Sequence, residues 1–176
     1  ETGIELAPDN IQVFKTLALF YTERGLDEKA LKIYGTISDL EPDNLEILEK
    51  KADLTMKLRG VKNAQDIFVK IIGLDTKNHY TRFNKYLAEI HFDEEKYHSA
   101  VKYYLDYLNF YPADAEAAFQ IARAYSYTKE YSLADEYLRQ AVAIDRSWKE
   151  KPYFSANLQW ESSGSRDIPN TSASAA

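Results

Sequence analysis

The sequence predicts an all-α chain, an α-solenoid of about four stacked helical hairpins closed by a short C-terminal helix. Three observations carry that prediction. First, a short stretch that ends an apolar-periodic segment keeps returning, with markers at Pro8, Pro42, Thr76, Pro112 and Arg146. The steps between positions 8, 42, 76, 112 and 146 are 34, 34, 36 and 34 residues, a period at which one supersecondary unit repeats. Second, alanine recurs in fixed phase: Ala18, Ala52, Ala88 and Ala122, then Ala30, Ala64, Ala100 and Ala134. Where two helices cross at about 8–10 Å, only a small side chain fits at the contact. Third, with 6 Gly and 5 Pro in 176 residues, no strand-like alternation is sustained.

The elements follow in order. In the first unit (9–42), Phe14, Leu17, Ala18 and Tyr21 recur at helical spacing. Gly25 breaks that helix, and Asp27 is expected to cap a second one with Ala30, Ile33, Tyr34 and Ile37 inside. Pro42 stops it, because proline cannot continue a helix. The second unit (43–76) is the loosest. Leu48, Ala52, Ala64 and Phe68 keep the pattern, but Lys51 and Thr55 stand where apolar residues are expected. Lys51 is expected to lay its alkyl stem on the core and keep its ammonium wet. The third unit (77–112) has a two-residue insertion near Asn78 to Tyr80, then Asn84, Leu87, Ala88, His91, Ala100 and Tyr104. The fourth (113–146) carries Ala118, Ile121, Ala122, Tyr125, Ala134 and Leu138. Residues 149–161 read as a capping helix, with Pro152 at its first position and Tyr153, Ala156 and Trp160 on one face. Residues 162–176 form a polar tail with too few apolar groups to order itself. The chain opens on the tail of a repeat, Ile4 to Asn10, which predicts a segment of a longer array.

Composition narrows the function classes. The net charge of −6 argues against a nucleic-acid partner, which needs clustered Lys and Arg. The sequence contains no cysteine, which excludes disulfides and thiolate metal sites. No apolar run reaches transmembrane length, so direct membrane insertion is not expected. The one local group of metal-ligand types is His91, Asp93, Glu94, Glu95 and His98. His91 falls where Tyr21 and Tyr125 stand in other units, and Asp93 to Glu95 read as the first turn of the next helix, where acids suit the dipole. No metal or other cofactor is therefore expected. There is no phosphate loop, nucleophile elbow or HExxH motif, so no catalytic residue is assigned and the chain is read as no enzyme. The 14 Tyr, crowded at Tyr97, Tyr103, Tyr104, Tyr107 and Tyr111, read as core and boundary aromatics or as a contact surface.

Taken together, residues 4–148 resemble the tetratricopeptide repeat, whose pattern is W-x₂-L-G-x₂-Y, then A-x₃-F, then P. The first unit fills those slots with Phe14, Leu17, Ala18, Tyr21, Ala30, Tyr34 and Pro42. The resemblance implies a right-handed superhelix whose first helices line a concave side. Facing that groove would be Lys15 and Leu19, then Lys50, Asp53 and Met56, then Arg82, Tyr86, Glu89 and Phe92, then Phe119, Gln120, Arg123 and Tyr127. The groove is expected to be basic near Lys15, Lys50 and Arg82, and aromatic near Tyr86, Phe92, Phe119 and Tyr127. The match to the carboxylate clamp of some relatives is partial, since Leu19 and Lys50 occupy its two Asn slots and Tyr86 its Arg slot. The implied function is a protein–protein interaction scaffold or adaptor that binds a protein or peptide partner. The alternatives are self-association through repeat ends, and a regulatory domain of a larger protein. The Tyr111-Pro112 turn resembles envelope lipoproteins, which favours a bacterial envelope over the cytoplasm.

Overall fold

A computed structural model describes residues 11–150. Residues 4–10, most of the expected capping helix and the whole polar tail lie outside them. Among the described residues, eight α-helices pair into hairpins: α1 (Ile11–Glu23) with α2 (Asp27–Leu40), α3 (Leu45–Arg59) with α4 (Gln65–Leu74), α5 (Phe83–Asp93) with α6 (Tyr97–Leu108), and α7 (Ala115–Tyr127) with α8 (Tyr131–Ile144). Short 3₁₀ turns precede α4 (Val61–Ala64) and follow α8 (Arg146–Glu150). No strand occurs, and no helix is long and apolar enough to cross a membrane, among the described residues. The chain divides into two compact units between Pro112 and Ala113.

In the first unit α2 covers α3, and α4 covers α5. Phe14, Ala18, Ala30, Leu31, Tyr34 and Ile37 form one core with Ile47 and Leu54 of α3. Leu48, Ala52, Ala64, Phe68 and Ile71 form the next with Phe83, Leu87 and Ile90 of α5. Phe68 stacks on Phe83 with ring centroids 5.0 Å apart. Each such large apolar side chain contributes about 1.5–3 kcal/mol by leaving water. In the second unit, Ala118, Ile121, Ala122, Ala134, Leu138 and Ala141 are buried. The eight recurrent alanines are all buried, none more than 5% exposed, which is the close helix contact their phase implies.

Three hairpins turn in the same way. Gly25, Glu95 and Lys129 have φ of +68°, +60° and +66°. After each, a backbone N–H reaches back over the left-handed residue: Leu26 to the Tyr21 carbonyl (2.9 Å), Lys96 to His91 (2.8 Å) and Glu130 to Tyr125 (2.9 Å). Gly25, Glu95 and Lys129 themselves donate to the carbonyls of Thr22, Phe92 and Ser126. This double closure satisfies carbonyls that a helix end otherwise leaves open. It also corrects two expectations. Asp27 does not cap α2; Leu26 occupies the cap position without a side-chain bond, and Asp27 begins the helix and pairs with Lys57. Asp93 to Glu95 do not open α6 but close α5 and form its turn.

The helices that follow Pro42 and Pro112 have side-chain caps. Asn44 accepts the Ile47 N–H at 3.2 Å and Asp114 that of Ala117 at 3.0 Å, each an N-cap of the usual chemistry. The insertion before α5 is organised by Asp75, which accepts the Tyr80 N–H at 2.7 Å. In the loosest unit, the Lys51 ammonium donates to Ser38 Oγ at 2.8 Å rather than relying on water alone. Thr55 is buried and donates to the Lys51 carbonyl at 2.7 Å.

Candidate functional site

Two apolar stripes of α3, at Ile47/Leu54 and Leu48/Ala52, are used by the cores, which leaves Glu49, Lys50 and Asp53 on its outward side. Glu49 and Asp53 are one turn apart, and Arg82, next to the start of α5, reaches both. Its Nη2 donates to Glu49 Oε1 at 3.0 Å and to Asp53 Oδ1 and Oδ2 at 3.1 and 3.2 Å. The guanidinium also lies over the Phe83 ring, 4.2 Å from its centroid. Burial works against its charge, but Glu49 and Asp53 outweigh that and raise its pKa. Beside it, burial pushes the Tyr80 phenol up, with Glu49, Glu46 and Asp75 adding to the effect and Arg82 opposing it. About a third of each charged side chain remains open to solvent.

The other expected site residues fall in different settings. Lys15 pairs with Glu41 at 2.9 Å. Hydrogen bonds from Lys15 and Asn44 hold the Glu41 carboxyl below the usual carboxylate range. The basic stretch expected at Lys15, Lys50 and Arg82 is therefore corrected. Carboxylates of the chain itself neutralise Lys15 and Arg82, and of the three Lys50 alone is exposed. Leu19 is exposed, and Met56 is half-buried against the α3–α4 core. Tyr86 is also half-buried, its ring stacked on Phe68 at 5.5 Å. Phe92 meets the edge of Tyr97 at 5.3 Å.

In the second unit, Arg123 donates to Gln120 at 2.8 Å, and Tyr127 is 38% exposed. Phe119 does not present an open aromatic face. It is 5% exposed, with the Trp148 ring 4.6 Å away. His91 stacks on Tyr103 at 5.2 Å, and no three His, Asp or Glu side chains converge on a metal position among the described residues. Glu49 and Glu41, the partners of Arg82 and Lys15, are not among the residues that the sequence singles out. A signal was present for the first: Glu49 lies 33 residues before Arg82, about one repeat, and Asp53 one turn further on.

Residues 115–147, which span α7 and α8, match the tetratricopeptide repeat family. No curated protein matches the sequence. Among solved structures, a crystal structure of MamA is similar with a TM-score of 0.65 at 19% identity, covering 85% of this chain and 86% of that one. A MamA fragment from Desulfovibrio magneticus RS-1 gives 0.64 at 18%, covering 89% and 85%. Identities this low carry the fold alone. Tetratricopeptide repeats generally build protein-interaction scaffolds; Glu49, Asp53 and Arg82 lie outside the matched residues.

Proposed function

We propose that the chain is a protein-interaction scaffold that holds a partner polypeptide on the outward faces of its first helices, with α3 and the start of α5 as the main contact in the first unit. The observation that carries this reading is the Glu49–Arg82–Asp53 cluster. It is ordered before any partner arrives, sits outside both cores and keeps about a third of its surface wet. Preordering spares a partner the entropy of arranging the side chains it meets.

The charge sets the partner's chemistry. Two carboxylates share one guanidinium, so one negative charge is left over. The complement is a Lys or Arg side chain, rather than the acidic group that a basic groove at Lys15, Lys50 and Arg82 would take. Lys50, Met56 and Tyr86 supply the rim: a cation, an adaptable thioether and an aromatic edge. In the second unit Arg123, which donates to the neutral Gln120, and Tyr127 form a separate contact. An interface of this kind gives about micromolar affinity, on the order of −8 kcal/mol. The test is capture of a partner by the immobilised chain, identification by mass spectrometry, and titration calorimetry against Glu49→Lys/Asp53→Lys. Affinity that does not fall in that variant removes α3 from the interface.

A further inference from the structure

Two joints of the first unit, α2 on α3 and α4 on α5, can be compared position by position. One position of the first helices holds Leu17, Lys51, Leu87 and Ile121; one position of the second helices holds Ser38, Ile72, Leu108 and Val142. Each series has one polar member, and the two polar members meet. The Lys51 ammonium on α3 donates to Ser38 Oγ on α2 at 2.8 Å, and Ser38 Oγ donates to the Gly35 carbonyl at 2.8 Å. Ser38 is buried and Lys51 half-buried. At the α4–α5 joint the same positions are Ile72 and Leu87, and Ile72 packs against the apolar core that contains Leu87. One turn on from Lys51, Thr55 repeats the exception: it is buried where Tyr21, His91 and Tyr125 stand in the other first helices.

We propose that Ser38 and Lys51 are a matched pair that selects α2 as the helix seated on α3, and so fixes the order in which the hairpins stack. A chain of similar hairpins has wrong joints open to it, in which a second helix settles on the first helix of a different hairpin or of another copy. The discrimination lies on α3. The Ser38 hydroxyl placed against an apolar first helix keeps its bond to Gly35, so α2 by itself excludes little. Lys51 placed opposite Ile72, Leu108 or Val142 meets no acceptor, and an ammonium held at a helix contact without one is costly. Specificity of this kind comes from penalising the wrong neighbour as well as from matching the right one. A single polar contact in an apolar interface is an attested way to fix register. The pair is distinct from the Glu49–Asp53–Arg82 cluster and needs no partner protein.

The test separates selection from stability. In the whole chain, Lys51→Met keeps the stem and removes the ammonium, Ser38→Ala removes the acceptor, and Ser38→Thr keeps a hydroxyl. Urea midpoints followed by circular dichroism are expected to fall for Ser38→Ala, which strands the ammonium, and not to fall for Lys51→Met. Each chain is then refolded from urea at low and at high protein concentration, and the products are weighed by size exclusion with light scattering. The parent and Ser38→Thr are expected to return to the parent's starting mass. Lys51→Met and Ser38→Ala both lose the match, so at high concentration each is expected to leave about twofold more chain in heavier species. Heavier species from Ser38→Ala alone would track lost stability and overturn the proposal, as would Lys51→Met refolding as cleanly as the parent. If Ser38→Ala does not fold, the comparison of Lys51→Met with the parent and Ser38→Thr decides.

Discussion

Glycine exchange at the three matched hairpin turns isolates a backbone effect from side-chain packing. Gly25, Glu95 and Lys129 share a left-handed backbone and the same pair of closing hydrogen bonds, yet only the first is glycine. A Cβ added at Gly25 meets nothing within 4 Å, so Gly25→Ala introduces conformational strain and no clash. A left-handed residue with a Cβ is disfavoured by roughly 1–2 kcal/mol. Glycine's extra freedom in the unfolded chain offsets roughly 0.5–1 kcal/mol of that. The net is a loss of about 0.5–1 kcal/mol for Gly25→Ala and an equal gain for Glu95→Gly and for Lys129→Gly, whose side chains are exposed. At about 2–4 °C per kcal/mol for a chain of this size, the melting shifts are about 1–4 °C. Urea unfolding followed by circular dichroism reads the change as a moved midpoint at constant slope. If both glycine substitutions lower the midpoint, the shared turn geometry is not what holds these hairpins.

Other outcomes follow from the packing and charges. Ala52→Leu and Ala88→Leu each push a larger side chain into a fully buried helix contact and should destabilise by about 1–3 kcal/mol, read from the same urea curves. Trp148→Ala uncovers Phe119 and should destabilise the second unit by about 3 kcal/mol, with increased binding of a hydrophobic dye. Glu41 has a lowered folded pKa, so its contribution is present above the unfolded carboxylate range and lost as pH falls through the folded value. Stability of Glu41→Gln should accordingly fall less steeply with acid than that of the parent. Burial raises the phenols of Tyr125 and Tyr137. Their contribution is present below the ordinary phenol value and lost as pH rises through the folded one, so alkaline titration followed by ultraviolet absorbance should show both ionising late.

The hairpins were legible because their signal is periodic. Eight alanines in phase, with Phe14, Tyr34, Phe68 and Tyr104 at large positions, point to one packing scheme, and each of these residues is buried. Individual turns were less legible. Asp27 and the Asp93–Glu95 run look like helix starts by composition, but left-handed closure at Gly25 and Glu95 moves the helix boundary past the acids. The candidate site was legible in part. Arg82 stands out as a cation in the first-helix series. That Glu49 and Asp53 already neutralise it depends on how neighbouring helices are offset, which no spacing within one helix records. Phe119 was misread for a related reason: Trp148, the residue covering it, is 29 positions away (148 − 119), beyond the helix that the pattern describes.

The most direct test of the scaffold reading is the affinity of a captured partner for two charge-reversed chains. One is Glu49→Lys/Asp53→Lys on α3; the other is Lys102→Glu, an exposed position of α6 away from the first-helix faces. A partner held on α3 should bind the α3 variant at least tenfold more weakly, about 1.4 kcal/mol, and bind Lys102→Glu unchanged, with both chains folded. Equal affinity for the parent and the α3 variant would contradict that placement.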